Sequence, residues 1–247
     1  MTNIVWGERT IAGIPCLVMS PKENPGPFPT ILIYHGWSSN KCNQRFIGSI
    51  LVNRGYQVIA PDAPGHGSRQ SIDFNSKLSV HNFFWPTILQ SVDESDALIP
   101  AIIDLPEVES SRICLAGISM GGMAASAIFP RHQGIKCFTG IITTGAWDSH
   151  LEKSKSLEPL GASTLAKIQK NNPRGRLEDM SCRPMLLLHG DQDPIVSIES
   201  QRTFFSELRD AYGQQGNRVT MIETNDLGHF IELDMVENWC DWLVSVL

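Results

Sequence analysis

A mostly parallel α/β sheet covered by helices on both faces is predicted by three features of the 247-residue sequence. Short apolar runs recur along the chain, each ends in a Gly-rich or polar turn, and stretches with helical spacing lie between them. The runs are continuously apolar rather than alternating, which is the pattern of strands buried on both faces. An alternating strand–helix order with right-handed crossovers then builds a parallel sheet, and the length suits one large domain with ample chain to bury a core.

Each element follows from the local sequence. Residues 11–19, before the Pro-rich stretch 21–29, predict an antiparallel strand added at the sheet's edge. The first buried strand, 30–34, runs into His35-Gly36. Phe46, Ile47, Ile50 and Leu51 then give a helix over 44–53 that stops at Gly55. A strand at 57–60 runs into Pro61-Asp62. Residues 86–104 carry Ile88, Leu89, Val92, Ile99, Ile102 and Ile103 at helical spacing, with Pro86 in the first turn and Pro100 expected to kink or break the helix. The strand 112–116 leads through Gly117 into a helix over 120–129 that ends at Pro130, and a further strand covers 138–143. Strand 184–188 ends in His189-Gly190, a helix over 200–212 ends at Gly213, and the last helix, 230–247, shows Leu233, Val236, Trp239 and Leu243 on one face. The Met, Phe and Trp stripes on these helices read as core. Two stretches, 65–85 and 147–182, lack this rhythm, although the second has room for a short helix. They are expected to be lid-like insertions in a single domain spanning 1–247.

Composition narrows the function classes. Hydrophobic residues at 42% and charged residues at 19% fit a compact soluble globule rather than a disordered chain. With 20 Lys and Arg against 26 Asp and Glu, the net charge of −6 argues against nucleic acid as a partner. Neither a signal-peptide pattern at the N-terminus nor an apolar run of about 20 residues is present, so no membrane partner is expected and the predicted location is cytoplasmic. Six scattered cysteines without a CxxC pair read as reduced thiols, and no metal ligand set is apparent.

The chemistry centres on Gly117-Ile118-Ser119-Met120-Gly121, a nucleophile-elbow pattern lying between an apolar strand and a helix, the context that the motif requires. Small flanking residues are needed because the turn is sharp and the Ser backbone strained. A serine hydroxyl needs a general base, and the base needs an orienting acid. His229, in the loop before the last helix, is the candidate base. His132 and His150 lie in polar stretches and are expected in solvent, whereas His35, His66 and His189 sit at strand ends as loop braces. Asp193, just past the strand 184–188, is the candidate acid, ahead of Asp191 and Asp226. The backbone amides of Trp37 and Met120 are the candidate oxyanion donors.

Taken together, GISMGG at 117–122, HGWSS at 35–39, DAPGHG at 62–67, HGDQDPIVS at 189–197 and the late GHF at 228–230 resemble the α/β-hydrolase superfamily. The likeness is to small single-domain serine esterases related to the prolyl oligopeptidase-like and dienelactone hydrolase-like branches, and the run HNFFWPTILQ at 81–90 fits that group. Dienelactone hydrolases use Cys where this chain has Ser119. The resemblance implies an eight-stranded, mostly parallel sheet, no cofactor, and Ser119, Asp193 and His229 as a catalytic triad. The expected activity is cleavage of small-molecule short-chain carboxylic esters through an acyl-enzyme. The same machinery serves thioesterases, amidases and small-peptide hydrolases, and a non-catalytic binding protein of this fold is the rival from another class.

Overall fold

The computed structural model describes residues 3–69, 72–153 and 160–247; parts of both expected insertions, 70–71 and 154–159, lie outside the described residues. Eight strands form one sheet: β1 Ile4–Ile11, β2 Ile14–Pro21, β3 Phe28–Tyr34, β4 Gln57–Pro61, β5 Val108–Ile118, β6 Cys137–Ile141, β7 Met185–Gly190 and β8 Val219–Thr224. Their spatial order is β1-β2-β4-β3-β5-β6-β7-β8, with β1–β2 and β2–β4 antiparallel and the remaining pairs parallel.

Continuous apolarity in the central strands has a direct structural counterpart. Leu32, Leu115 and Leu187 enter one core, while their neighbours Ile31, Ile33, Cys114, Ala116, Leu186 and Leu188 enter the other. The helices α1 Arg45–Asn53 and α7 Leu233–Val246 cover the second core. The first is covered by α2 Lys77–Ile103, α3 Met120–Ile128 and α6 Ile198–Tyr212. Two short helices, α4 Trp147–Lys153 and α5 Ala162–Asn171, occupy the stretch after β6. Among the described residues no helix is long and apolar enough to cross a membrane.

Three elements depart from the sequence expectation. The edge is a two-stranded hairpin rather than one strand over 11–19, because Ala12 and Gly13 both take positive φ (49° and 79°) and turn the chain between Ile11 and Ile14. The strand β8 has no counterpart in the sequence expectation; it lies at the opposite edge, where only its first residue is buried and the apolar signal is correspondingly weak. The third departure is α2, which starts at Lys77, capped by Ser76 Oγ, and runs 27 residues through both Pro86 and Pro100. Each proline forfeits one backbone hydrogen bond. Burial of Trp85, Ile88, Val92, Leu98, Ile99 and Ile102 against the sheet outweighs that loss.

The connectivity also places the functional crevice. From β3 the chain moves outward to β4, then returns across β3 to β5. Loops leaving β3 and β5 therefore diverge, and a crevice opens between the carboxyl ends of these two strands.

Candidate active site

Ser119 stands at the tip of β5, between that strand and α3, with φ 52° and ψ −119°. The turn is closed by packing that leaves no room for side chains. A Cβ on Gly117 would stand 2.4 Å from the Gly121 carbonyl oxygen, and one on Gly121 would stand 2.3 Å from that of Tyr34 on β3. The Ser119 amide donates to Ile141 O at 2.9 Å, which ties the elbow to β6.

Two later loops meet Ser119 from the other side. His229 Nε2 lies 2.9 Å from Ser119 Oγ, and His229 Nδ1 lies 2.7 Å from Asp193 Oδ2. The two loops fit closely. A Cβ on Gly190 would meet Leu227 O at 2.3 Å, and Gln192 N donates to that same oxygen at 2.9 Å. Asp193 is buried, and its Oδ1 accepts from the Ile195 and Val196 amides at 2.8 and 2.9 Å. His189 Nε2 lies 3.3 Å from Asp193 Oδ2 and 2.8 Å from Val196 O, so it carries a proton and donates. Burial opposes the charge on Asp193, but hydrogen bonds from His189, His229 and the two amides prevail and hold the carboxyl well below its usual range. The acid bonded to His229 is Asp193; among the described residues neither rival bonds it, Asp226 being exposed and Asp191 leaving one buried oxygen without a partner.

Both expected oxyanion amides belong to peptides whose carbonyls are already held. In a planar trans peptide the C=O and the following N–H point opposite ways, so fixing one aims the other. Ser119 O accepts from Thr143 Oγ1 at 2.7 Å and from the Gly122 and Met123 amides at 2.9 and 3.1 Å, which turns the Met120 N–H away from them. His35 performs the same service for Trp37. Its Nε2 accepts from Ala63 N at 3.0 Å, so Nδ1 carries the proton and donates to Gly36 O at 2.9 Å. Burial pushes His35 down to about 4, which keeps this tautomer neutral at ordinary pH. A Cβ on Gly36 would lie 3.4 Å from Ser119 Cβ, and among the described residues neither the Trp37 nor the Met120 amide donates to a protein acceptor. Sequence reasoning missed Thr143. Its only signal is the strained Ile142 before it, a β-branched residue at φ 44°, and strain is not legible in residue letters.

A buried ion pair underpins the loop after β3. Lys41 Nζ contacts Asp62 Oδ2 at 2.7 Å and Ser68 Oγ at 2.6 Å, while Asp62 also accepts from the Lys41 and Ser68 amides. Burial works against both charges; the Lys41 amide and ammonium and the Ser68 amide nonetheless lower Asp62, while Asp62, with Glu8 3.3 Å from Lys41 Nζ, raises Lys41. Lys41→Met should therefore leave a buried, unpaired carboxylate and cost about 3–5 kcal/mol of stability. Asp62→Asn added to that variant should recover more than half of the loss, as read from urea midpoints. No recovery would show that the pair is not the cause.

Five of the six other histidines divide into two groups. His35, His66 and His189 do brace loops, His66 through Nδ1 to Pro64 O at 2.8 Å. His132 and His150 are not in solvent as expected. His132 is half-buried against Ser95, and His150, on α4, faces Phe84 and Trp85 with ring centroids 6.3 and 6.4 Å away. Trp37, His66 and Phe74 extend the same aromatic surface. All six cysteines are free, four of them buried.

Known proteins of the same construction include several hydrolases. A family model described as serine aminopeptidase, S33, matches residues 26–183. Esterase YjfP of Escherichia coli (strain K12) is 34% identical over 208 residues, covering 79% of this chain and 81% of that protein. YitV of Bacillus subtilis (strain 168), also esterase by name, is 25% identical across 97% of this chain and 98% of its own. The crystal structure of TT1662 from Thermus thermophilus superposes with a TM-score of 0.84 at 21% identity, covering 98% of this chain and 97% of that one. With a Ser, His and Asp hydrogen-bonded in sequence at the carboxyl edge of such a sheet, the chain belongs to the serine aminopeptidase S33 family of the α/β-hydrolase superfamily, and it is a hydrolase.

Proposed function

We propose that the protein is a serine carboxylic-ester hydrolase acting on short-chain esters of small molecules, without a cofactor. The observation that carries this reading is the unbroken relay from Ser119 Oγ through His229 to Asp193, at 2.9 and 2.7 Å. Ser119 Oγ attacks the ester carbonyl as its proton passes to His229 Nε2. Asp193 holds the imidazole by Nδ1–H and stabilises the imidazolium. The Trp37 and Met120 amides receive the oxyanion. As the tetrahedral intermediate collapses, the C–O bond breaks and His229 gives its proton to the leaving alcohol. Water, deprotonated by His229, then attacks the acyl carbon and releases the acid, restoring the Ser119 hydroxyl.

Esterase-named relatives favour an ester over an amide as the substrate. The aromatic surface from Trp37 to His150 favours a roofed apolar pocket over an open cleft. On 4-nitrophenyl esters of increasing chain length, activity should peak at roughly two to six acyl carbons, the size such pockets hold, and be negligible on long triglycerides. A maximum at long chains would overturn the roofed pocket but not the relay. A fluorophosphonate probe should form an adduct at Ser119. Absence of both adduct and ester turnover would favour the non-catalytic binding protein instead.

A further inference from the structure

The face of α4 packed against Phe84 and Trp85 carries two polar side chains that the relay does not use. Trp147 and His150 are three residues apart in this helix and so share a face. Both rings contact Trp85, at 5.3 and 6.4 Å between centroids. Trp147 is fully buried and its Nε1 has no hydrogen-bond acceptor, an arrangement that costs free energy unless something else supplies one. Among the described residues the His150 ring has no hydrogen-bond partner either, and its nitrogens are not sealed from solvent. Phe84 links this face to the oxyanion loop, lying 5.8 Å from Trp37 and 6.3 Å from His150. The helix is held in place, because Asp148 pairs with Arg174, which also binds Glu207 on α6.

Resting on the esterase reading, we propose that His150 is a specificity-determining residue whose ring hydrogen-bonds an oxygen atom of the substrate near the scissile ester, so that oxygen-bearing short esters are preferred over their hydrocarbon isosteres. Burial pushes His150 down to about 4, with Asp193 pulling it up and His229 pushing it further down. Near neutrality the ring is therefore neutral, with one N–H and one bare nitrogen, and can bind an ether, carbonyl or hydroxyl oxygen without competing with His229 for the serine proton. An otherwise aromatic wall discriminates weakly between CH2 and O; a single hydrogen-bonding group in it discriminates more strongly.

The test compares isosteric pairs with CH2 exchanged for O. On the acyl side these are 4-nitrophenyl butyrate and 4-nitrophenyl methoxyacetate; on the alcohol side, butyl acetate and 2-methoxyethyl acetate. For each pair the ratio of kcat/KM, oxygen over carbon, is divided by the corresponding ratio for hydroxide hydrolysis. His150→Phe should lower that normalised preference about tenfold in one pair, and the pair that responds tells whether the oxygen lies on the acyl or the alcohol side. His150→Gln, which retains a donor and an acceptor, should restore at least part of it, and His150→Leu should repeat the loss if the Phe variant does not fold. Unchanged preferences in both pairs would overturn the role of His150 while leaving the esterase reading intact. Failure of the wild-type protein to hydrolyse any of the four esters would overturn that reading and this proposal with it.

Discussion

Ser119→Ala should lower kcat for ester hydrolysis by about 10⁴-fold or more while the protein remains folded. The expectation of intact folding is structural. Serine and alanine share Cβ, so the strained backbone at φ 52° is no worse accommodated, and Ser119 Oγ has only His229 Nε2 as a partner among the described residues. Thr143 and the α3 amides bind the Ser119 carbonyl, which the substitution leaves in place. His229→Ala should cost a similar factor. The double variant should be no worse than either single one, because a base without its nucleophile and a nucleophile without its base fail at the same step. Circular dichroism and a thermal melt would verify the fold, and fluorophosphonate labelling should disappear with Ser119. Ester turnover by Ser119→Ala at the wild-type rate would refute the assignment of the nucleophile.

Much of this site is legible in the sequence because its parts are local. Gly117 and Gly121 flank Ser119 in the motif itself, and the packing that excludes a Cβ at either position is what the motif encodes. Asp193 could be preferred over Asp191 because the run after β7 is long enough to turn its carboxyl toward the later loop. The order Ser119, Asp193, His229 follows from the order of the strands. The rest depends on contacts between distant segments. Nothing in the residues near His150 says that Phe84 and Trp85 stand against it, so a polar neighbourhood read as surface. Nothing around Lys41 says that Asp62, 21 residues on, will bury its charge. The extent of α2 was hidden for a different reason: local proline chemistry argues for a break, and only the apolar face buried on the sheet overrides it. Edge strands were the remaining loss, since β1 and β8 bury too little to leave a continuous apolar run.

Asp193→Asn should reduce kcat by about 10⁴-fold, much more than Asp191→Asn or Asp226→Asn, and the geometry says why. Oδ1 of Asp193 accepts two backbone amides, from Ile195 and Val196, so an asparagine must leave its carbonyl oxygen there and turn its NH2 into the position of Oδ2. That position faces His229 Nδ1 at 2.7 Å. A donor now meets the nitrogen that should itself donate, and the imidazole responds by moving its proton to Nε2, the atom 2.9 Å from Ser119 Oγ. The base is then blocked at the very nitrogen that must accept the serine proton, while the loop keeps its shape. Asp193→Ala removes the orienting group without imposing the wrong tautomer, so it should lose activity with less dependence on which way the imidazole is protonated. The loss in Asp193→Asn should fall mainly on kcat, and the rate of fluorophosphonate labelling should fall with it, since both need Ser119 deprotonated by His229. The lowered titration of Asp193 adds a stability signature with a fixed sign. A carboxyl held below its unfolded value stabilises the fold above that value and ceases to do so as the pH drops through the folded one. Wild-type protein should therefore lose stability relative to Asp193→Asn as the pH is lowered from about 5 through about 4, where an unfolded aspartate becomes half-protonated. Equal activity losses at Asp191, Asp193 and Asp226 would remove Asp193 from its place behind His229.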